Sequence, residues 1–357
     1  MRSPNTSSKE APVRLGFSIG TLGPVASAPD EHLKLVREAE RLGYESVWAS
    51  EGYGADPATT LAWLAAGTER VELGSGIIQI SGRTAVATAM AAATIDRLSG
   101  GRFRLGLGTS GPQVTEGWHG RRYERPLAHL RDYVQVVRTA LAREPVRHAG
   151  PTLQLPLPDS RGKALSMAIG PVRQPLPIHL AAMGPKAIAL AGEIADGWLP
   201  IHFPPEHVAE SLDHLRSGAA LAGRDPAEIA VSPMVMAMVD DDADYARDVV
   251  RPMLALYLGG MGSREVNFYN RLAHRLGFAA AAARVQEAYL GGGMGEAMEE
   301  LPDDLVDALA LCGTPDRVRE RLDAYRKAGA TTLVVGLNAP TLDDRLEQLG
   351  WLAELNS

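Results

Sequence analysis

The chain has 357 residues, 45% of them hydrophobic, which is enough for one large α/β barrel or two medium-sized domains. The formal net charge of -7 argues against an extended basic face and therefore against nucleic acid as a partner. A single cysteine, Cys312, excludes an intrachain disulfide and fits a reducing cytoplasm, and no apolar run in the sequence is long enough to span a membrane.

Apolar strands and amphipathic helices alternate along the chain after a polar stretch at residues 1–12, which we expect to be a disordered leader. Strands are predicted at residues 13–19, 46–49, 71–78, 102–108, 178–182, 197–201, 229–239 and 332–337. Helices are predicted at residues 30–42, 57–67, 85–98, 127–141, 185–194, 207–221, 315–328 and 342–355. Eight alternating units of this kind predict an α/β fold, a closed (β/α)8 TIM barrel, as one domain over residues 13–357.

Two segments depart from the repeat. Residues 146–169 are rich in proline and glycine, and residues 251–304 are long, partly helical and interrupted by glycines. Insertions in such barrels usually lie over the carboxyl ends of the strands, where loops shape the site. We therefore expect both insertions on that face.

The stretch GRFRLGLGTSGPQVTEGWHG, residues 101–120, predicts a strand that opens into a glycine-rich loop. We expect no helix directly after GLGTSG, and so no Rossmann-type nucleotide site. Thr109 and Ser110 would lie at the strand end, in the position where barrels bind ligands. Trp118 either packs within the loop or covers a flat ligand, and His119 beside it titrates near neutrality.

The carboxyl ends of other strands add candidates to the same face. Glu51 is either a solvated rim carboxylate or a cofactor contact, and Gly76 is either a kink or a place where a ligand meets bare backbone. His202, like His119, could transfer protons. No nucleophile with an adjacent base is visible, and the nine histidines show no HxH or HExxH spacing, so we predict no metal site.

The fifth strand leads through small residues into a helix predicted to begin at residue 185. Free N–H groups at such a helix start can bind phosphate, with a lysine adding charge, but this segment alone favours a tight turn with a solvated lysine. The residues concerned are Ala181, Ala182, Met183, Gly184, Pro185 and Lys186.

Several ordered runs together resemble the luciferase-like monooxygenase superfamily, and more narrowly its branch that uses the 5-deazaflavin coenzyme F420. These runs are ELGSGIIQI, DRLSGGRFRLGLGTSGPQV, IHLAAMGPKAIALAGEIADGWLP, YLGGMGSREVNFYNRLAHRLGF and LCGTPDRVRERL. The resemblance extends from about residue 13 to residue 355. It implies a (β/α)8 barrel, a homodimer, and reduced coenzyme F420 as a hydride donor, with FMN as the alternative cofactor.

The resemblance also implies roles for individual residues. A non-prolyl cis peptide would join Gly76 and Ile77 in a bulge behind the cofactor ring. The turn at residues 181–186 would hold the phosphate-bearing arm of the cofactor, which reverses the preference for a simple tight turn. Further cofactor contacts would come from Thr21, Glu51, Thr109 and Ser110.

This chain departs from family members that oxidise sugar phosphates. Those members carry a histidine after the acidic residue of the second strand, where this chain has Gly52. They also carry a glutamate just after the Gly-Thr-Gly of the fourth strand, where this chain has Ser110 and Gly111. Loss of that base favours reduction of an activated C=C or C=N bond in a small-molecule or peptide substrate. The alternatives are an FMN-dependent monooxygenase and a non-catalytic deazaflavin-binding barrel. The candidate catalytic residues are Glu51, Trp118, His119 and His202.

Overall fold

The structure is a computed structural model that describes residues 12–20 and 29–357. Its strands are Arg14–Ile19 (β1), Ser46–Ala49 (β2), Glu72–Ser75 (β3), Ile78–Gln79 (β4), Phe103–Gly108 (β5), His148–Ala149 (β6), Gln154–Leu155 (β7), Ile178–Leu180 (β8), Gly197–Trp198 (β9), Ala230–Val231 (β10), Met234–Val239 (β11), Leu311–Gly313 (β12) and Thr332–Leu337 (β13).

The α-helices are Pro29–Arg41 (α1), Pro57–Gly67 (α2), Ala85–Leu98 (α3), Pro112–Gly117 (α4), Pro126–Leu141 (α5), Pro185–Ile194 (α6), Ala209–Leu221 (α7), Ala243–Ala255 (α8), Phe268–Arg275 (α9), Ala279–Leu290 (α10), Met294–Glu299 (α11), Asp303–Leu309 (α12), Pro315–Lys327 (α13) and Leu342–Leu355 (α14). A π-helical turn, Leu256–Gly260, extends α8. Within the described residues, no helix combines the length and the apolar character that crossing a membrane requires.

A parallel sheet forms the centre of the fold and closes on itself. Its strand order is β10-β9-β8-β5-β3-β2-β1-β13-β11-β12, with β4 paired to β5. The segment 230–239 supplies both β10, which pairs with β9, and β11, which pairs with β13. One stretch of chain therefore joins the two sides of the sheet, which confirms the predicted TIM barrel.

Several predicted elements have different bounds in the structure. The strands predicted at residues 71–78 and 229–239 are each divided in two, because the chain leaves the ladder at Gly76 and at Pro233. The strand β12 was not expected. The expectation of no helix after GLGTSG is wrong, since α4 begins at Pro112, although its six residues follow a barrel strand rather than a Rossmann strand.

The core consists of layers inside and outside the barrel. Most buried side chains lie between the strands and the surrounding helices, while Trp48, Leu199 and Val334 form a small cluster of their own. Trp48 requires a glycine beside it, because a Cβ atom at Gly74 would overlap its indole ring. Packing against Trp48 thus explains Gly74, one of the two glycines between β2 and β4 that lie in or beside β3.

The third strand segment, residues 72–79, comprises β3 and β4, and a bulge between these two strands interrupts its pairing with β5. The register runs from Leu73 opposite Phe103 to Ile78 opposite Leu107, so the bulged strand carries one extra residue. The Ser75 hydroxyl bridges the gap, because it accepts a hydrogen bond from the Gly106 N–H at 2.8 Å and donates one to the Gly106 carbonyl at 2.9 Å. The Gly76–Ile77 peptide bond that follows is cis, as the resemblance implied.

The two insertions differ in how they are held. The first carries the antiparallel hairpin β6–β7, which is tied to α5 because Asp132 accepts hydrogen bonds from the Thr152 and Leu153 backbone N–H groups. The second contains α9, α10 and α11 and packs in a hydrophobic cluster of its own, to which β11 contributes Met236 and Met238.

The bulge gives a first prediction, on stability. Gly106→Ala would place a Cβ atom where the Ser75 carbonyl oxygen lies, so we expect a loss of about 1–3 kcal/mol in the free energy of unfolding. The measurement is urea denaturation. The matched control is Gly350→Ala in α14, where the added methyl group meets nothing within 4 Å and should stabilise the helix. Equal effects of the two substitutions would contradict the close approach at Gly106.

Candidate functional site

A cavity of about 520 Å³ lies at the carboxyl ends of β1 and β13, next to the bulge at Gly76. Residues of α8 form another of its walls. Its volume is typical of small-molecule sites. Gly76 and His202 are the predicted site residues, among those the structure describes, that line it. Most of the surrounding side chains are apolar, among them Phe17, Ile19, Met234, Met236, Val249 and Met253.

Glu51 and His119 lie on either side of Gln79, at the carboxyl end of β4. The Gln79 backbone N–H donates to Glu51 Oε2 at 2.5 Å, and the Gln79 side-chain amide donates to the Glu51 carbonyl at 3.1 Å. The other end of that amide, Oε1, lies 3.0 Å from His119 Nε2. The structure therefore brings together two of the predicted catalytic residues through Gln79, which was not predicted as a site residue.

The glutamine also settles the tautomer of His119. The Glu51 carbonyl can only accept a hydrogen bond, so the Gln79 NH₂ group must point towards it and Gln79 Oε1 must face the histidine. A carbonyl oxygen in turn requires the proton on His119 Nε2. In the neutral ring, Nδ1 then carries the lone pair and is the atom that can accept a proton.

The environment of Glu51 favours its protonated form. Burial raises the pKa of this carboxyl, while the Gln79 N–H bond and the nearby Arg83 charge oppose the rise. Arg83 is itself paired with Asp56, the N-cap residue of α2. Glu51 is thus a carboxyl group with a raised pKa at the end of a barrel strand, a combination often found in catalytic acids.

Thr109 and Ser110 form the turn between β5 and α4. Ser110 has a positive φ of 54°, and its carbonyl accepts a hydrogen bond from the Tyr123 hydroxyl at 3.3 Å. Both residues are partly exposed at the carboxyl end of the barrel. Beneath them, the Ile77 side chain lies against Gly108, where a Cβ atom would meet Ile77 Cδ1 at 2.8 Å.

The turn at residues 181–186 keeps its predicted form. Trp198 Nε1 donates to the Ala182 carbonyl at 2.9 Å, which fixes the turn to the next strand. Helix α6 follows Gly184 without a side-chain cap, so its first N–H groups have no side-chain acceptor. Lys186 is exposed beside them. Uncapped N–H groups and a cation at a helix start form an arrangement that binds phosphate.

Trp118 extends into solvent at the rim, 64% exposed. Its ring meets the edge of Tyr53, which is 52% exposed, at a centroid distance of 5.9 Å. Two exposed aromatic side chains in contact over the mouth of a barrel can cover a flat ligand, which agrees with the second of the two roles considered for Trp118.

His202 lies apart from this polar group and is buried, 2% exposed. Its ring centroid is 4.9 Å from that of Tyr257 and 5.7 Å from that of Tyr269. Burial lowers the pKa of His202 to about 4, so the ring is neutral at physiological pH. Neither tyrosine was predicted from the sequence as a site residue. The only sequence signal for them was that both are aromatic residues within the insertion at residues 251–304.

The predicted residues therefore fall into three groups at one end of the barrel. Glu51, Trp118 and His119 occupy the rim over β2 and β4, and the residues proposed to bind cofactor lie along the ends of β3, β5 and β8. His202 lines the cavity. Thr21 is outside the described residues. No group of three or more His, Cys, Asp or Glu side chains is arranged to hold a metal ion in the part of the chain that the structure describes.

Comparisons with known proteins agree with this architecture. A family model described as luciferase-like monooxygenase matches residues 13–332. The chain is 43% identical, over 91% of its length and 95% of the relative's, to a Mycobacterium tuberculosis protein provisionally named a coenzyme F420-dependent oxidoreductase. It is 31% identical to the 5,10-methylenetetrahydromethanopterin reductase of Methanolobus tindarius, over 84% of this chain and 87% of the relative. The solved coenzyme F420-dependent tetrahydromethanopterin reductase of Methanopyrus kandleri superposes with a TM-score of 0.81 at 26% identity, over 95% of this chain and 98% of that one.

The raised pKa of Glu51 predicts a pH-dependent effect on stability. Ionisation of this carboxyl opposes folding, because its pKa is higher in the folded chain than in the unfolded chain. Glu51→Gln removes that opposition, and its amide oxygen can still accept the Gln79 N–H bond. We expect the melting temperature of the variant to exceed that of the wild type at about pH 7.5, with the gain shrinking towards about pH 4 as the wild-type carboxyl takes up its proton.

The control for this experiment is Glu320→Gln, which removes the same charge from an exposed position on α13. Thermal unfolding followed by circular dichroism at both pH values gives the comparison. The same pH dependence in both variants would show that net charge, rather than the burial of Glu51, causes the effect.

Proposed function

The chain belongs to the luciferase-like monooxygenase family, and on that premise we propose that it is a coenzyme F420-dependent oxidoreductase. The observation that carries the proposal is the 43% identity, over nearly the whole chain, to a relative named for that cofactor. A second relative at 31% identity is a reductase, and the solved reductase that superposes on the whole barrel is named for the same cofactor.

The residues of this chain fit a flat ring with a phosphate-bearing arm. Gly76 presents bare backbone to the cavity, and a Cβ atom there would meet Met234 Cε at 3.1 Å and nothing closer. A ring could therefore lie against this backbone without an intervening side chain. The uncapped start of α6, with Lys186 beside it, suits a phosphate.

When bound, the reduced deazaflavin would supply a hydride. The bulge at Gly76 and Ile77 would support one face of the ring, and Thr109 and Ser110 would bound its edge. The turn at residues 181–186 would hold the arm. Trp118 would lie over the open side and restrict water.

We propose reduction of an organic acceptor, a small molecule or peptide with an activated C=C or C=N bond. Reduction of such a bond needs a proton as well as a hydride, and Glu51 is suited to donate it because burial raises the pKa of its carboxyl. His119 is joined to Glu51 through Gln79 and can accept a proton at Nδ1. After donating its proton, Glu51 would take up another from solvent at the rim, where the residue is only partly buried. The homodimer and the cytoplasmic location stay predictions.

Titration with cofactors tests the proposal directly. We expect isothermal titration calorimetry to show binding of F420 and little or no binding of FMN. Reduced F420 should then be oxidised when a panel of activated alkenes and imines is added. Binding of FMN alone would favour a monooxygenase, and tight F420 binding without turnover on any acceptor would favour a non-catalytic deazaflavin-binding barrel.

The bulge gives a prediction on cofactor affinity. Gly76→Ala adds a methyl group that the flexible end of Met234 can accommodate, so the free energy of unfolding should change by less than about 1 kcal/mol. The same methyl group stands where the ring would meet backbone, so the Kd for F420 should rise by about tenfold or more. Gly350→Ala again serves as the control. If stability and affinity fall together, the glycine has a structural role only.

A further inference from the structure

Among the described residues, one buried polar side chain that lines the cavity, His202, has no hydrogen-bond partner. His202 is 2% exposed, and neither ring nitrogen has a hydrogen bond of normal geometry within the described part of the chain. The Leu309 backbone opposes the lowering of the His202 pKa, but neither ring nitrogen forms a hydrogen bond of normal geometry with it, so the single N–H of the neutral ring is not committed to that carbonyl. A buried imidazole left in this way destabilises the protein, and a ligand that hydrogen-bonds to it would offset that cost.

The tyrosines of the second insertion hold this imidazole in place. Tyr257 and Tyr269 meet the ring of His202 at interplanar angles of 84° and 86°, and their own centroids are 4.8 Å apart. Tyr257 lines the cavity together with His202. The ring is therefore packed on two sides and cannot turn away from the cavity without displacing a tyrosine.

The charged groups around the cavity are balanced within the protein. Asp248 is paired with Arg251 at 3.1 Å, and Arg345 lies 3.5 Å from Glu31. Burial and the Arg345 charge lower the pKa of His32, which favours its neutral form. A ligand ion would thus lose hydration here without gaining a counter-charge.

We infer that the part of this cavity beside His202 and Tyr257 receives the hydride acceptor, next to the Gly76 surface proposed for the cofactor ring. The acceptor is an uncharged carbonyl compound with an apolar body whose oxygen takes a hydrogen bond from His202. The inference rests on the proposed function for the identity of the cavity as the acceptor site. The apolar lining suits the body of the compound, and the neutral N–H suits its oxygen.

A neutral imidazole can also assist the reaction. When a hydride adds to the β-carbon of a conjugated carbonyl compound, the C=C electron pair shifts to join the α-carbon and the carbonyl carbon, and the C=O π pair moves onto the oxygen. An N–H donor already in place stabilises the negative charge that develops there. A proton supplied by water or by a protein acid then adds to the α-carbon, which gives the saturated carbonyl compound. His202 keeps its own proton throughout.

Three probes with closely related carbon skeletons test the recognition: carvone, a conjugated ketone; limonene, which lacks the oxygen; and perillic acid, which is ionised at neutral pH. Saturation-transfer NMR measures binding of each to the whole chain, with and without F420. We expect carvone to bind most tightly and perillic acid most weakly.

Two variants separate hydrogen bonding from packing. His202→Leu removes the donor, whereas His202→Asn keeps an N–H and tolerates the left-handed backbone at φ 52°. We expect His202→Leu to weaken carvone binding about 3- to 10-fold and leave limonene unchanged, with His202→Asn restoring part of the loss. Turnover of carvone with reduced F420 should fall about 10- to 100-fold in His202→Leu while the Kd for F420 stays within about twofold.

Met253→Trp fills the cavity while His202 stays in the sequence, and it should weaken binding of carvone and limonene alike. The control is His274→Asn, at an exposed position on α9. Equal affinity of the wild type for carvone and limonene, or equal losses of both in His202→Leu, would overturn the inference. So would a loss of F420 affinity in His202→Leu, because the ring would then serve the cofactor. Carvone selectivity without F420 binding would uphold the recognition and refute the proposed function.

Discussion

The arrangement of the site depends on how Ser75 meets Gly106. The third strand segment carries one residue more than its partner, and the Ser75 hydroxyl satisfies both backbone groups of Gly106 across the gap. No side chain larger than hydrogen fits at Gly106, because the Ser75 carbonyl occupies that space. The extra residue places Gly76 at the cavity, so the backbone surface proposed to support a ring follows from this one contact.

Much of the fold could be predicted because long helices and buried strands carry periodic signals. Residues 57–67, 85–98, 185–194 and 342–355 are helical with the predicted bounds. The break in the strand at residues 71–78 could not be read from periodicity, because the register of a neighbouring strand decides it. The strand Leu311–Gly313 is too short to show a periodic hydrophobic pattern, and it forms because it can pair with the edge of β11.

The residues of the site likewise divide into those that the sequence predicted and those that it did not. Glu51 and His119 were predicted because polar residues after barrel strands face a common mouth. Their connection through Gln79 was invisible, since it needs the turn of β4 and the loop at residues 118–120 to meet. Tyr257 and Tyr269 were missed for the same reason: an insertion shows its composition in the sequence, but not the strand ends it will cover.

The strand β11 belongs to two cores at once. Val235, Ala237 and Val239 pack with the barrel, whereas Met236 and Met238 pack with the helices of the second insertion. The wall of the cavity that α8 and the π-helical turn provide thus rests on a cluster largely separate from the surface that faces the proposed cofactor. Substitutions in that cluster would change which compounds enter the cavity without altering the surface proposed for the cofactor, so new specificities could evolve by changing the second insertion alone.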